Sequence, residues 1–181
     1  MTEPEAFTFP ADGAIPNSRL PMLVYRGAVP ADPDAIERRF DEHGWPPAWR
    51  DGVHPYHHFH STAHEALGVA RGHARVLFGG PNGRSLEIKA GDVVVLPAGV
   101  GHCRQDASPD LLIVGAYPQG MADGLDTRRG RPEERAEVHH NIVNVTTHVP
   151  DPVNGGQGAL GRYWQGARGR LWALPPAADG S

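Results

Sequence analysis

The chain has 181 residues, enough for one compact domain with short extensions and enough to bury a core without staples. A hydrophobic share of 39% and a charged share of 21% belong to a folded globular protein and not to a disordered one. The net charge of -4 offers little to a phosphate backbone or an anionic lipid surface, so neither nucleic acid nor membrane is expected as a partner.

The single cysteine, Cys103, excludes an internal disulfide, a Cys-rich zinc site and an iron-sulfur cluster held by one chain, and it suits a reducing compartment. The first twenty residues carry Glu3, Glu5 and Asp12 and lack an apolar stretch, which argues against a signal peptide. Nowhere does an apolar run approach the roughly 20 residues of a membrane span. A cytoplasmic location is the expectation.

In chain order, residues 1–19 show no period and read as an irregular arm, and residues 20–26 read as a first strand. Asp32 followed by Pro33 is an N-cap with proline at the first helical position; Ile36 and Phe40 stand four apart and Gly44 follows, which predicts a helix of about ten residues. Ile36, Phe40, Trp45 and Trp49 are expected to pack on a sheet. From Gly52 onward the texture is of short strands ended by Gly, Pro or Asn, in a chain holding 23 Gly and 18 Pro. Strands are predicted at 56–60, 65–71, 74–78, 84–89, 93–96, 102–105 and 111–117. Asn82-Gly83 reads as a hairpin turn with positive φ angles. Residues 93–96 are apolar throughout and therefore expected to be covered on both faces. Residues 122–137 hold nine charged side chains, the pattern of a solvated loop, an exposed helix face or a lid; 141–149 reads as one more strand, 171–174 as an apolar clip, and 175–181 as a loose tail.

Five of the 11 His, at 54, 57, 58, 60 and 64, crowd into one short stretch. In an extended segment His58 and His60 share a face, with Phe59 on the other. After the turn at 61–64, Glu65 can return beside the two rings, and His102 can bring a third imidazole from a distant strand. His57 is placed on the outer face; His64 is out of phase with Glu65 and stands as the substitute ligand.

The residues Gly52, His58, His60, Glu65 and Gly72 match G-x5-H-x-H-x4-E-x6-G, and Gly91, Pro97, Gly99 and His102 match G-x5-P-x-G-x2-H-x3-N, with Asp106 at the last position. These are the two motifs of the cupins, and the chain resembles a small single-domain bacterial cupin. The resemblance implies an all-β fold, a double-stranded β-helix forming a small jelly-roll barrel, here with a short N-terminal helix and irregular terminal extensions. It divides the chain into an arm, strand and helix at 1–51, a cupin core at 52–120, and a C-terminal extension of charged loop and tail at 121–181. It also implies His58, His60, Glu65 and His102 as ligands of one divalent metal ion, with Fe, Mn, Ni, Zn and Cu all compatible with such donors.

The function expected is a metal-dependent enzyme acting on a small molecule, most of all an oxygenase-type reaction at a 3-His-1-Glu site. A non-catalytic module binding metal and small ligand, and a Lewis-acid isomerase or lyase, are the alternatives. Leu67, Val69, Val76, Phe78, Leu112, Val114 and Tyr117 are candidates to line the cavity or fill the core. Arg71, Arg75, Arg128 and Arg129 are candidates for a substrate carboxylate, each read more readily as a solvated cation. A homodimer is expected, with residues 20–26 serving that contact or packing within their own chain.

Overall fold

The structure, a computed structural model, describes residues 3–171. In chain order its elements are β1 (Glu5–Phe7), β2 (Met22–Tyr25), α1 (Pro33–Glu42), β3 (Pro47–Asp51), β4 (Glu65–Arg71), β5 (His73–Phe78), β6 (Arg84–Lys89), β7 (Val93–Leu96), β8 (His102–Ala107) and β9 (Leu112–Ala116). A 3-10 turn (Pro132–Glu134), α2 (Arg135–Asn144) and α3 (Leu160–Leu171) follow. Two antiparallel sheets face one another, one ordered β1-β2-β7-β4-β9-β3 and the other β6-β5-β8. This is the all-β jelly roll expected from the sequence.

Alternation along the strands of the larger sheet builds two cores at once. Met22, Val24, Leu67, Val69, Val94, Leu96 and Ile113 face the smaller sheet and meet Ala74, Val76, Phe78 and Ile88. Their neighbours Leu23, Tyr25, Ala66, Val93, Val95, Val114 and Ala116 face the other way, onto Ile36 and Phe40 of α1, Trp45, and Leu160 and Trp164 of α3. Residues 93–96 are therefore apolar on both faces because a sheet covers one side and helices cover the other. Each such side chain contributes roughly 1.5–3 kcal/mol by burial.

The helix α1 starts where its cap predicts, with Asp32 Oδ1 accepting from Ala35 N at 2.7 Å. It lies against β4 at Gly68, where a Cβ would fall 2.5 Å from Ile36 Cγ2.

Several expectations are corrected. Residues within the arm form β1, which pairs with β2. The strand read at 56–60 is not a ladder: it holds two isolated bridges, His58 with His102 and Phe59 with Arg128. The strand read at 141–149 gives way to α2, because Val138 and Ile142, four apart, pack on Ile15 and Phe59. The positive φ angles of the β5–β6 turn belong to Gly79 and Gly80, not to Asn82-Gly83; Asn82 instead binds Asp12 through both its backbone and side-chain nitrogens. Met22 to Tyr25 are fully buried between β1 and β7, so this strand packs within its own chain. Leu112 and Val114 belong to the helix-side core and not to the cavity. The clip read at 171–174 and the tail at 175–181 lie almost wholly outside the described residues. Among the described residues no helix is long and apolar enough to cross a membrane.

Candidate metal centre

Three chain segments bring their side chains to one end of the sandwich. Backbone pairing of His58 with His102, N to O at 3.3 and 3.0 Å, sets these two side chains side by side, with ring centroids 4.0 Å apart. His60 follows two residues on, while Phe59 turns the opposite way into a small cluster with Ile15 and Val138. The turn at 97–100 closes the site from below: Gly99 donates to His60 O at 2.8 Å from a backbone with φ of 98°, and a Cβ there would fall 2.4 Å from Asn17 O. His58, His60 and His102 are buried and offer nitrogens all lying within 4.8 Å of one another. Glu65, at the start of β4, stands against two of the rings, its Oε2 being 3.2 Å from Nε2 of both His60 and His102.

Hydrogen bonding fixes the ring tautomers. Nδ1 of His58 faces Tyr56 O at 3.0 Å, Nδ1 of His60 faces Asp126 O at 2.6 Å, and Nδ1 of His102 faces Val100 O at 3.1 Å. A carbonyl oxygen can only accept, so every Nδ1 carries a proton and each ring, when neutral, has its lone pair on Nε2. Glu65 Oε2 is buried without a hydrogen bond despite its two imidazole neighbours. A buried carboxylate oxygen in that state is costly unless a cation shares it. Three oriented imidazoles and one anionic oxygen fit a divalent ion, whose bonds of about 2.0–2.2 Å to such donors need only small side-chain shifts here.

The electrostatics agree. Burial, aided by the facing His102, pushes His58 down to about 3, so it is neutral at ordinary pH. Burial pulls His60 down as well, but the Glu65 carboxylate outweighs it and lifts the ring to about 8. Burial favours a neutral Glu65, yet His60 and His102 beside it hold its carboxyl below the usual carboxylate range. The proton attracted to His60 is the one that a divalent ion must displace.

Similarity to known proteins agrees with the geometry. A family model described as Cupin matches residues 51–122. Over 163 residues the chain is 40% identical to the protein YjlB of Bacillus subtilis (strain 168), covering 90% of this chain and 97% of that one. The chain belongs to the cupin family.

Solved structures similar to this cupin include the formate complex of oxalate decarboxylase from Lactobacillus farciminis, 20% identical, spanning 77% of this chain and 39% of that one at a TM-score of 0.38. Vicilin from Corylus avellana is 14% identical, spanning 82% and 43%, at a TM-score of 0.35. This cupin thus spans about two-fifths of the length of those structures.

A cavity of about 310 Å³ opens above the rings of this cupin, walled by Trp49, Val53, Leu67, Tyr117, Leu125 and Thr127 among others. Of the expected lining, Leu67 and Tyr117 are there, while Val69, Val76 and Phe78 fill the inter-sheet core. Trp49 is a correction: its indole borders the cavity and donates to Tyr117 Oη at 3.0 Å, and Tyr117 in turn donates to Glu65 Oε1 at 3.4 Å. Burial first, and then the Glu65 charge, raise the Tyr117 hydroxyl so that it stays protonated.

His64 is corrected as a substitute ligand, since Ala98 N–H donates to its Nδ1 at 2.9 Å and its Nε2 donates to Thr146 O at 2.8 Å. His54 borders the cavity and stacks on Tyr56 with centroids 4.8 Å apart. None of the four arginines offered for a substrate borders the cavity. Arg128 is held by Asp126, Glu134 and Glu137, Arg129 lies 4.2 Å over the Tyr56 ring, Arg75 reaches toward Glu87, and Arg71 is exposed. The charged segment 122–137 is a brace. Asp126 accepts from the backbone and hydroxyls of Ser61 and Thr62 and from Arg128 Nε, while its own carbonyl takes the His60 ring.

Proposed function

We propose that this cupin is a metal-dependent enzyme acting on a small molecule, with His58, His60, Glu65 and His102 holding one divalent ion and an oxygenase-type reaction at Fe(II) as its chemistry. The supporting observation is the set of three imidazoles whose Nδ1 atoms are all committed to backbone carbonyls beside a buried carboxylate oxygen with no hydrogen bond. When bound, a ferrous ion supplies Lewis acidity, open coordination positions and one-electron chemistry.

The protein's own residues do the rest. The carbonyls of Tyr56, Asp126 and Val100 lock the rings and raise their basicity as donors. Glu65 supplies one negative charge, and its Oε1 is oriented by Tyr117 and, through it, by Trp49. The Tyr117 hydroxyl is a protonated group at the cavity wall, placed to give or hold a proton at Oη. Val53, Leu67 and Leu125 keep that wall apolar and limit water.

Elemental analysis of the protein as isolated, set against His102→Ala and Glu65→Gln, tests the centre. Near-stoichiometric metal in the wild type, lost in His102→Ala and reduced in Glu65→Gln, supports it; equal metal in all three refutes it. Dioxygen uptake when candidate substrates are added to the Fe(II)-loaded protein supports oxygenation. Turnover with Zn or Mn and no uptake would make it an isomerase or lyase, and ligand-induced stabilisation without product would make it a binding module.

A further inference from the structure

The strand β8 carries a second inward side chain that no ligand set uses. In the β5–β8 ladder His102 pairs with Phe78 and Arg104 with Val76, and both partners are buried in the inter-sheet core. Paired residues in an antiparallel ladder point to the same face, so His102 and Arg104 both face the interior of the sandwich. Cys103 between them faces out. Arg104 borders the same cavity as the three imidazoles and is the one Arg or Lys among its lining residues. Its Nη1 lies near Gly52, 4.0 Å from where a Cβ would stand.

The guanidinium is also unusual in having no partner. The other half-buried arginines have partners: Arg26 meets Glu5 and Asp92, Arg39 donates to Val153 O, and Arg128 meets three carboxylates. Among the described residues no carboxylate lies within ion-pair distance of Arg104 and no acceptor takes a hydrogen bond from its side chain, although it is half-buried. A half-buried guanidinium facing a cavity is stabilised when an oxyanion enters. We infer that Arg104 is the docking group for a carboxylate of the substrate, so that this cupin takes small organic acids, with the carboxylate on Arg104 and the reacting end toward the imidazoles.

A planar fork of donors suits one carboxylate in a bidentate contact. A phosphate dianion ordinarily recruits several backbone N–H groups at a helix N-terminus, and no helix borders this cavity. The inference rests on the proposed function for which end of the substrate reacts, and on Arg104 alone for which end is held.

The test is a titration with malonate and with its uncharged counterpart malonamide, followed by calorimetry and by Trp49 fluorescence, on metal-free and on Zn-loaded protein. Wild type is expected to favour malonate by tenfold or more with and without metal, and the preference should weaken with added salt. Arg104→Gln should reduce it to parity, Arg104→Lys should keep a part of it, and Arg75→Gln, an exposed arginine away from the cavity, should leave it unchanged. Near-UV circular dichroism checks that the variants fold, and should Arg104→Gln not fold, the Arg104→Lys loss and the salt dependence of the wild type decide. Parity in the wild type, a charge preference that survives Arg104→Gln, or a preference for inorganic phosphate over malonate would each overturn the inference. A malonate preference in protein that takes up no Zn when loaded would sink the metal reading and leave Arg104 standing; Zn binding with an indifferent Arg104→Gln would do the reverse.

Discussion

A Cβ placed on Gly115 would fall 2.0 Å from Cε2 of Trp49, so the indole occupies the space that any side chain at 115 would need. The cross-strand register explains the contact, since Trp49 on β3 pairs with Gly115 on β9. The backbone at 115 lies outside the left-handed region, so alanine there would gain slightly from a less flexible unfolded chain. The clash is the larger effect. Gly115→Ala is expected to cost about 1–3 kcal/mol in urea denaturation and to shift the Trp49 emission as its bond to Tyr117 breaks; an unchanged midpoint and spectrum would show that the wall is not set this way.

Asp126 acts on the site through others. Its carboxylate ties down the turn at Ser61 and Thr62, and its carbonyl holds the His60 ring. Asp126→Ala should therefore lower metal affinity by about 10–100-fold while the far-UV circular dichroism stays native, with chelator competition as the measurement. The residues proposed to hold the metal were readable because alternation puts His58 and His60 on one face and the two cupin motifs add Glu65 and His102. Asp126 was not, because a carboxylate 61 positions after Glu65 in the chain joins the site only through loop geometry. Arg104 is related to His102 by the strand period of two, a relation that Arg71, Arg75, Arg128 and Arg129 lack.

The segment ahead of α3 is fastened to the larger sheet by one buried carboxylate. Asp151 accepts from Tyr25 Oη on β2, from the backbone of Val153 and Asn154 at 2.8 and 3.0 Å, and from Leu160 at 3.2 Å, where α3 begins. Trp164 adds a bond to Pro21 O at 3.0 Å and lies against the His64 ring. Tyr25→Phe removes one donor from a carboxylate that is 2% exposed, and should cost about 1–3 kcal/mol by denaturant titration with the fold retained. A cost below a few tenths would mean that the backbone donors satisfy Asp151 alone. The elements legible in the sequence were those whose cause is local: the cap of α1, the alternation in β6, the two-sided apolar run of β7. β3 escaped because Pro47 opens it and it lies at a sheet edge, where proline is tolerated but reads as a breaker. Helices α2 and α3 escaped because β-branched residues in the first and Gly161 and Gly166 in the second argue against helix, and only the burial of Val138, Leu160 and Trp164 against the rest of the molecule decides for it.

On the scale of the whole molecule, the centre lies where the two sheets meet. Glu65 opens β4 in the six-stranded sheet, His102 opens β8 in the three-stranded one, and His58 and His60 belong to a connecting segment held to the rest by single bridges and by Asp126. Without a cation, Glu65 and the rings are left to one another at 3.2 Å with no hydrogen bond to Oε2, so these four side chains do little to tie the two sheets together. An ion bound to all four residues joins them, and because the unfolded chain holds no such arrangement, binding adds directly to folding stability. At a free metal concentration a hundredfold above Kd the gain is about 2.7 kcal/mol, which for a chain of this size is roughly 5–10 °C in Tm. Adding a divalent ion to chelator-treated wild type should raise Tm by that amount, and the Tm of His102→Ala should not respond. A wild type whose Tm is the same with ion and with chelator would mean that the rings and Glu65 stabilise one another unaided, and the sheets would then be joined here by the protein alone.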